Sequence, residues 1–482
     1  MNRIKTILLL VIFVQFISCN RTEVSGQPNV LFVVFDDLND WEGCLFGHPQ
    51  TITPNINRLA EKGVLFTNAH CAGTMCCPSR VSVITGLRPT TTGIYKNTDT
   101  PLEIYKNKQT LNKHFKKNGY YVAGAGKILH KFYYEKNDWD EFEARHQNEN
   151  GIGNRENPEP ENISGIEGGF TWGPFSAPDS LTFDAKTVDW VARRINQKHD
   201  KPFFLACGIF RPHIPWFVPQ KYFDKHPVAT VELPKVQEND LCDIPLSGKN
   251  IAFSTTNFTG HNDLHNSDGN KEHETILKEG LWDDAVQAYL ASVSYADAQF
   301  GRLLDALEKS PYADNTIIVL WSDHGWHLGE KEHWRKATLW EEVTRVPLII
   351  YAPGFQSNVR SNQPVSLIDI YPTLTELCGL ANPEGLEGES LVPLLKNPET
   401  KRITPAISSL TPEFHSVRDK QFRYISYGNG QEELYDHKSD SEEWTNLAGD
   451  PAFSGIKERL KVFLPQNAKP HVKGIYDKQN ED

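Results

Sequence analysis

The 482-residue sequence predicts an α/β protein with a mostly parallel central sheet and a smaller antiparallel α+β subdomain near its end. Three observations carry that expectation. Short apolar, β-branched runs recur along the chain and end in polar or glycine residues. Segments with helical amphipathic spacing lie between them. Late in the chain the pattern changes to apolar–polar alternation around a Gly-Asn-Gly turn.

The first run, "NVLFVVFDD" over 29–37, is apolar at nearly every position and reads as a buried parallel strand ending in acids. "YYVAGAGK" (120–127), "KPFFLACGIF" (201–210), "NTIIVLWSDHG" (315–325) and "RVPLIIYAPG" (345–354) read the same way. "TLNKHFKKNG" (110–119) and "YADAQFGRLLDALEKS" (295–310) read as intervening helices. Residues 135–175 and 238–280 are polar and interrupt the pattern. They are expected to be long irregular loops, either shaping a substrate site or lying on the surface as insertions. "LLKNPETKRITPA" near 395–405 suggests a boundary. Beyond it, "QFRYISYGNGQEELYD" predicts a hairpin, with a terminal helix near 455–465. No internal repeat is present. The expected organisation is a leader over 1–19, a main domain over 27–397 and a C-terminal subdomain over 398–482.

Hydrophobic residues make up 39% of the chain, with 11 Trp, 16 Tyr and 25 Phe, which excludes a disordered polymer and supports a large core. The net charge of −12 argues against nucleic acid as a partner, while leaving room for a local basic pocket. Arg3 and Lys5 precede an apolar run from Ile7 to Ile17, too short to span a bilayer comfortably and expected to be a secretory signal. The following "FISC" resembles a bacterial lipoprotein box, with Phe16 where leucine is usual. Lipidation of Cys19 and plain cleavage both stay open; either exports the protein to the periplasm or an outer-membrane anchor. "NIS" at Asn162 and "NFT" at Asn257 match the glycosylation pattern, which a bacterial lipoprotein signal would make meaningless. Of 8 cysteines, removing Cys19 leaves an odd number, so one is expected to be unpaired or chemically special.

In such sheets, ligands bind at the carboxyl ends of the strands. Asp36 and Asp37 end the first strand, and Asp323 and His324 follow a later one. Each pair alone also fits a helix cap or a turn. Together they suit a hard cation such as Ca²⁺ or Mg²⁺; zinc would want more histidine or cysteine. Lys127 and His130 ("GKILH"), His213 ("RPHIPW") and Lys336 ("EHWRK") follow strands too. A cation flanked by lysine and histidine makes a pocket for a doubly charged oxyanion, so sulfate or phosphate esters are the natural substrates. The nucleophile could be serine, threonine or cysteine.

The stretch "TMCCPSRVSVITG" (74–86) bears on that choice. Cys76, any residue, Pro78, Ser79, Arg80 matches the C-x-P-S-R signature of type I sulfatases, and the likeness extends through "RVSVITGLRPTTTGIY". "KPFFLACGIFRPHIPWFVPQKYF", "IIVLWSDHGWHLGE", "SYADAQFGRLLDALEK" and "NGYYVAGAGKILH" resemble iduronate-2-sulfatase and its bacterial polysaccharide-sulfatase relatives. The likeness covers most of residues 28–395, and "ELYD…SEEWTNLAGDP" is more generally sulfatase-like. The resemblance implies an alkaline-phosphatase-like sandwich and an exported enzyme acting on a sulfated oligosaccharide or polysaccharide. A glycosaminoglycan 2-O-sulfo-uronate, ulvan or carrageenan would be of that kind.

It further implies that a maturase oxidises Cys76 to formylglycine. The hydrated aldehyde attacks sulfur with one hydroxyl and later ejects sulfate by C–O cleavage. Asp36, Asp37, Asp323 and His324 would hold Ca²⁺ together with the oxygen at position 76; His324 departs from the asparagine of many sulfatases. Arg80 would steady the diol, and Lys127 and Lys336 would grip sulfate. His130 would be the base, and His213 or Lys336 the acid toward the leaving oxygen. Cys77 occupies the variable motif position, where it could hinder modification, pair with Cys71 or have no role. His327 could line the pocket or be structural. Two rivals remain: a phosphodiesterase or phosphonate hydrolase on the same scaffold, and a lipoprotein that binds sulfated glycans without cleaving them.

Overall fold

A computed structural model describes residues 26–130, 136–143, 170–254 and 271–472. Its largest sheet has eight strands: β1 (Asn29–Asp36), β2 (Val64–Phe66), β3 (Tyr121–Gly126), β4 (Glu141–Glu143), β5 (Phe203–Pro212), β6 (Thr316–Ser322), β7 (Leu348–Tyr351) and β8 (Val359–Ser361). Their spatial order is β8-β2-β7-β6-β1-β5-β3-β4. The five strands from β6 to β4 in this order run parallel. β1 lies in the middle and every one of its residues is buried. That explains its unbroken apolar sequence: Leu31, Val33 and Phe35 face one core, while Val30, Phe32 and Val34 face the other.

The expectation of a parallel strand at 345–354 is corrected: β7 is antiparallel to both β6 and β2. The chain leaves β6 at its carboxyl end, where Asp323 N donates to Phe35 O. At that same end Ser322 N donates to Pro347 O, just before β7 begins. With no crossover to the opposite end, only an antiparallel return is geometrically open.

Helices cover both faces. On one side lie α1 (Pro54–Lys62), α4 (Phe183–Ile195) and α5 (Trp282–Glu308). On the other lie α2 (Cys76–Thr85), α3 (Leu111–Lys117) and α6 (Ile370–Leu377). The helix expected at 295–310 is the second half of the 27-residue α5. Its first half, through "AVQAYLASVSY", is buried on nearly all sides, so it lacks the polar stripe that marks an amphipathic helix.

The late alternating segment forms a four-stranded antiparallel sheet: β9 (Ala406–Ser409), β10 (His415–Arg418), β11 (Phe422–Ser426) and β12 (Glu432–Asp436). Gly428 and Gly430 take positive φ in the tight β11–β12 turn, which explains the Gly-Asn-Gly there. Leu460 of α7 (Ser454–Lys461) packs with Val417, Tyr424 and Leu434 on one face. On the other, Ile425, Tyr427 and Tyr435 pack with Met75, Leu339 and Trp340, so the sheet underlies the residue preceding Cys76.

The two segments expected to be irregular lie partly outside the described residues, as do the leader, Cys19, Asn162 and Asn257. Their described flanks are regular. Glu141–Glu143 extends the main sheet, Trp172–Phe175 pairs with Trp216–Pro219, and Leu246–Ala252 and Lys271–Lys278 are helical. Among the described residues, no helix is long and apolar enough to cross a membrane.

Candidate active site

β1 and β6 are parallel neighbours in a register that pairs Phe35 with Ser322, so the residues after them emerge side by side. Asp37, with φ of 65°, donates its N–H to Asp323 Oδ1 at 3.2 Å. β5 and β3 flank β1 on its other side and deliver His213, Lys127 and His130 to the same edge. Gly126 makes this possible: its φ is 78°, and a Cβ there would lie 2.1 Å from Gly208 O. α2 begins at Cys76, and Asn97 Oδ1 accepts the N–H of Cys77 at 2.9 Å. Lys336 arrives from the turn after β6, where Arg335 and Ala337 both have positive φ, of 85° and 68°. Such non-glycine conformations cost about 1–2 kcal/mol each and persist where surrounding contacts impose them.

Cys76 Sγ sits at the convergence. Lys336 Nζ lies 3.0 Å from it, His324 Nε2 3.3 Å and Lys127 Nζ 3.6 Å. Burial pushes its thiol pKa up, but Lys127, Lys336 and His324 outweigh that and hold it well below the ordinary value. Lys336 Nζ also meets Asp37 Oδ1 at 2.8 Å, and Lys127 pairs with Asp36. Arg80, fully buried, donates to Asp323 Oδ2 at 2.8 Å, to the carbonyls of Lys127 and Ile128, and lies 3.4 Å from Asp36 Oδ1. Burial raises the Asp36 carboxyl pKa and the Cys76 charge adds to it, yet Lys127, His213 and Arg80 keep it below the usual range. Burial lifts Asp323 to about 7 against the opposing pull of Arg80 and His324. His324 goes the other way: burial disfavours its charge, but Asp323 and Cys76 raise it to about 9.

His130 is buried beside Cys76; burial pushes its pKa down to about 4, against the opposing effect of Cys76. His213 is half-buried between two cis prolyl bonds. Its Nδ1 lies 2.5 Å from Ile214 O, and its Nε2 is 3.8 Å from Asp37 Oδ2.

The donors suit a hard cation. Asp36, Cys76, Asp323 and His324 place one ligand atom each within 4.8 Å of one another, and so do Asp36, Asp37, Cys76 and His213. Beyond the ion pairs of Asp36 with Lys127 and Arg80, both carboxylate oxygens of Asp36 and the Oδ2 of Asp37 are buried without a hydrogen bond among the described residues. Each group has two carboxylates beside Cys76 and one histidine, and Asp36, Asp37 and Asp323 together offer the oxygens that a hard cation takes.

All ten residues singled out in the sequence thus meet around one point. Cys71 does not pair with Cys77: it keeps its thiol, 3.6 Å from Val343 O. His327 is buried, with its Nε2 2.8 Å from Thr338 Oγ1. The sequence reading missed the second layer. Asp184 accepts the N–H groups of Phe210 and Arg211, at 2.7 and 3.1 Å, at the turn carrying His213. Tyr289 OH donates to Asp37 O at 2.8 Å and accepts from Asn39 N. These contacts join residues far apart in the chain, and no local spacing announces them. A second acid–histidine group, Glu341, His437 and Glu443, is knitted to Arg418 and Arg423 beneath the C-terminal sheet.

A sheet whose carboxyl edge gathers acids, two lysines and a cysteine at a helix start fits an ester hydrolase of the alkaline-phosphatase-like class. The sulfatase family pattern matches residues 28–380, and one described as N-sulphoglucosamine sulphohydrolase, C-terminal, matches 329–469. The chain belongs to the sulfatase family and is a sulfuric ester hydrolase. It is 40% identical to a sulfatase of Formosa agariphila, over 96% of this chain and 92% of that one. It is 30% identical to the iduronate 2-sulfatase of Homo sapiens, over 74% and 70% of the two chains. The structure also superposes on a phosphonate monoester hydrolase from Silicibacter pomeroyi with a TM-score of 0.71 and 22% identity, covering 90% and 94% of the chains. That last likeness concerns the fold alone.

Proposed function

We propose that this protein is an exported, Ca²⁺-dependent sulfatase that removes sulfate from a sulfated, uronate-containing saccharide, with Cys76 converted by a maturase to formylglycine. The observation that carries the reading is the position of Cys76 Sγ between Lys127, Lys336 and His324, beside three buried carboxylates. Formylglycine at position 76, once hydrated, would supply a nucleophilic oxygen and a second hydroxyl for releasing sulfate. Asp36, Asp37, Asp323 and His324 would hold Ca²⁺, which would supply positive charge beside the sulfate.

The chain's own groups do the rest. Lys127 and Lys336 offset the charge of the sulfate and hold it in line with position 76. Arg80 helps keep Asp36 ionised, opposes the effect of burial on Asp323, and aims both carboxylates. His130, neutral at pH 7 with its pKa near 4, is free to take a proton from the oxygen at position 76. His213, placed with its Nδ1 2.5 Å from Ile214 O, is the acid toward the leaving sugar oxygen. Its partial exposure puts it on the saccharide side.

The test combines mass analysis of the Cys76 peptide, from protein coexpressed with a maturase, and a screen of defined sulfated oligosaccharides and phosphate esters. Conversion of Cys76 and release of sulfate are expected. An unmodified thiol, a Cys76→Ala variant with full activity, or a preference for phosphate esters would overturn the reading.

A further inference from the structure

Lys336 is held in place by an unusual piece of backbone. Between Lys331 and Ala337, four non-glycine residues take positive φ: Lys331, Glu332, Arg335 and Ala337. Two of these flank Lys336 directly, so a relaxation at either would swing its side chain away from Cys76. The Arg335 guanidinium is buried and clasps Glu272, with Nε 3.0 and 3.1 Å from the two carboxylate oxygens and Nη2 2.5 Å from Oε1. Glu272 is itself buried, on the helix Lys271–Lys278. That helix sits beside the turn, where His273 Nδ1 accepts the Trp334 indole N–H at 3.1 Å. The planar fork of arginine fixes direction as well as distance, which a single point contact would not do.

We propose that Glu272 is a positioning residue for sulfate recognition: by clasping Arg335 it holds the turn that aims Lys336 at position 76. This deepens the reading above and rests on the assignment of Lys336 to sulfate. It also gives the 238–280 segment a defined task, since a helix from that segment tunes a lysine it does not touch.

The experiment is a double-mutant cycle on the matured, calcium-loaded enzyme. Glu272→Gln keeps the shape of the side chain and removes its charge. It is expected to lower kcat/KM for sulfate release at least tenfold and to reduce, in step, the melting-temperature rise produced by inorganic sulfate. In a Lys336→Ala background the same substitution is expected to change neither quantity further, and Glu272→Asp is expected to recover part of the loss. Should the glutamine variant not fold, Glu272→Asp carries the same cycle. An equal loss with and without Lys336 would overturn the proposal, because a general structural defect does not depend on Lys336. Unchanged activity in folded Glu272→Gln, beside a crippled Lys336→Ala, overturns it alone. An unimpaired Lys336→Ala enzyme overturns the role of Lys336 and the proposal with it.

Discussion

Replacing Arg80 by lysine preserves charge and discards geometry. The guanidinium reaches Asp323 Oδ2, two carbonyl oxygens and the neighbourhood of Asp36 at once, all with no solvent exposure. A single ammonium, a point donor without the planar fork, satisfies one carboxylate at best. It leaves the other carboxylate or the carbonyls of Lys127 and Ile128 buried without a donor. Disrupting a buried pair of this kind costs about 3–5 kcal/mol. With roughly 2.1 cal/mol/K per residue, a chain of 482 residues has an unfolding entropy near 1 kcal/mol/K, so Tm should fall by about 3–5 °C. Activity should fall further than stability, on the order of 10–100-fold, as for outer-shell partners of metal ligands. Calorimetry and sulfate release on the same preparation measure both. An Arg80→Lys enzyme that melts within about 1 °C of the parent and keeps its kcat/KM would refute the argument that fork geometry aligns the two carboxylates.

Three further outcomes follow from the same structure. Calcium at about 100 times its Kd should stabilise the protein by about 2.7 kcal/mol, and Asp36→Asn should abolish the resulting Tm rise; an undiminished rise would remove Asp36 from the metal site. His415, buried with Nδ1 near Ser409 Oγ and Nε2 near Pro412 O, has its pKa pushed by burial from 6.5 down to about 4. The unfolded chain therefore takes up the proton first. This stability is present above pH 6.5 and is lost, by up to about 3 kcal/mol, as pH falls toward 4. Tm against pH for His415→Gln should be flatter over that window, and an identical slope would sink the assignment. Phe32, fully buried with ring centroids 5.5 Å from Phe204 and 5.4 Å from Trp321, should cost about 3–5 kcal/mol when cut to alanine, read from denaturant midpoints. A loss below about 1 kcal/mol would mean that the central strand repacks.

Much of the main sheet was legible because burial on both faces leaves a local trace. The runs at 29–37, 120–127, 201–210 and 315–325 had to be apolar throughout, and their first polar residues had to lie at the sheet's edge. Strand direction left no such trace. The run at 345–354 looks like its parallel neighbours yet runs antiparallel, because direction depends on which end of the sheet the intervening chain returns to. The first half of α5 was illegible for a related reason: a helix surrounded by protein has no polar face to betray its period.

The sequence by itself determined the Cys-x-Pro-Ser-Arg motif, the acid pairs and the basic residues after strands, since each is a short pattern written in adjacent residues. Their meeting within a few ångströms was decided by tertiary structure. The parallel register of β1 with β6 puts Asp37 against Asp323. Gly126 lets β3 approach β5 closely enough to present Lys127. The supporting contacts were decided there alone: Asp184 beneath His213, Tyr289 beneath Asp37 and Glu272 behind Arg335. A carboxylate that acts through a partner dozens or hundreds of residues away carries no local period, cap or turn signal. Only the packed chain brings the two together.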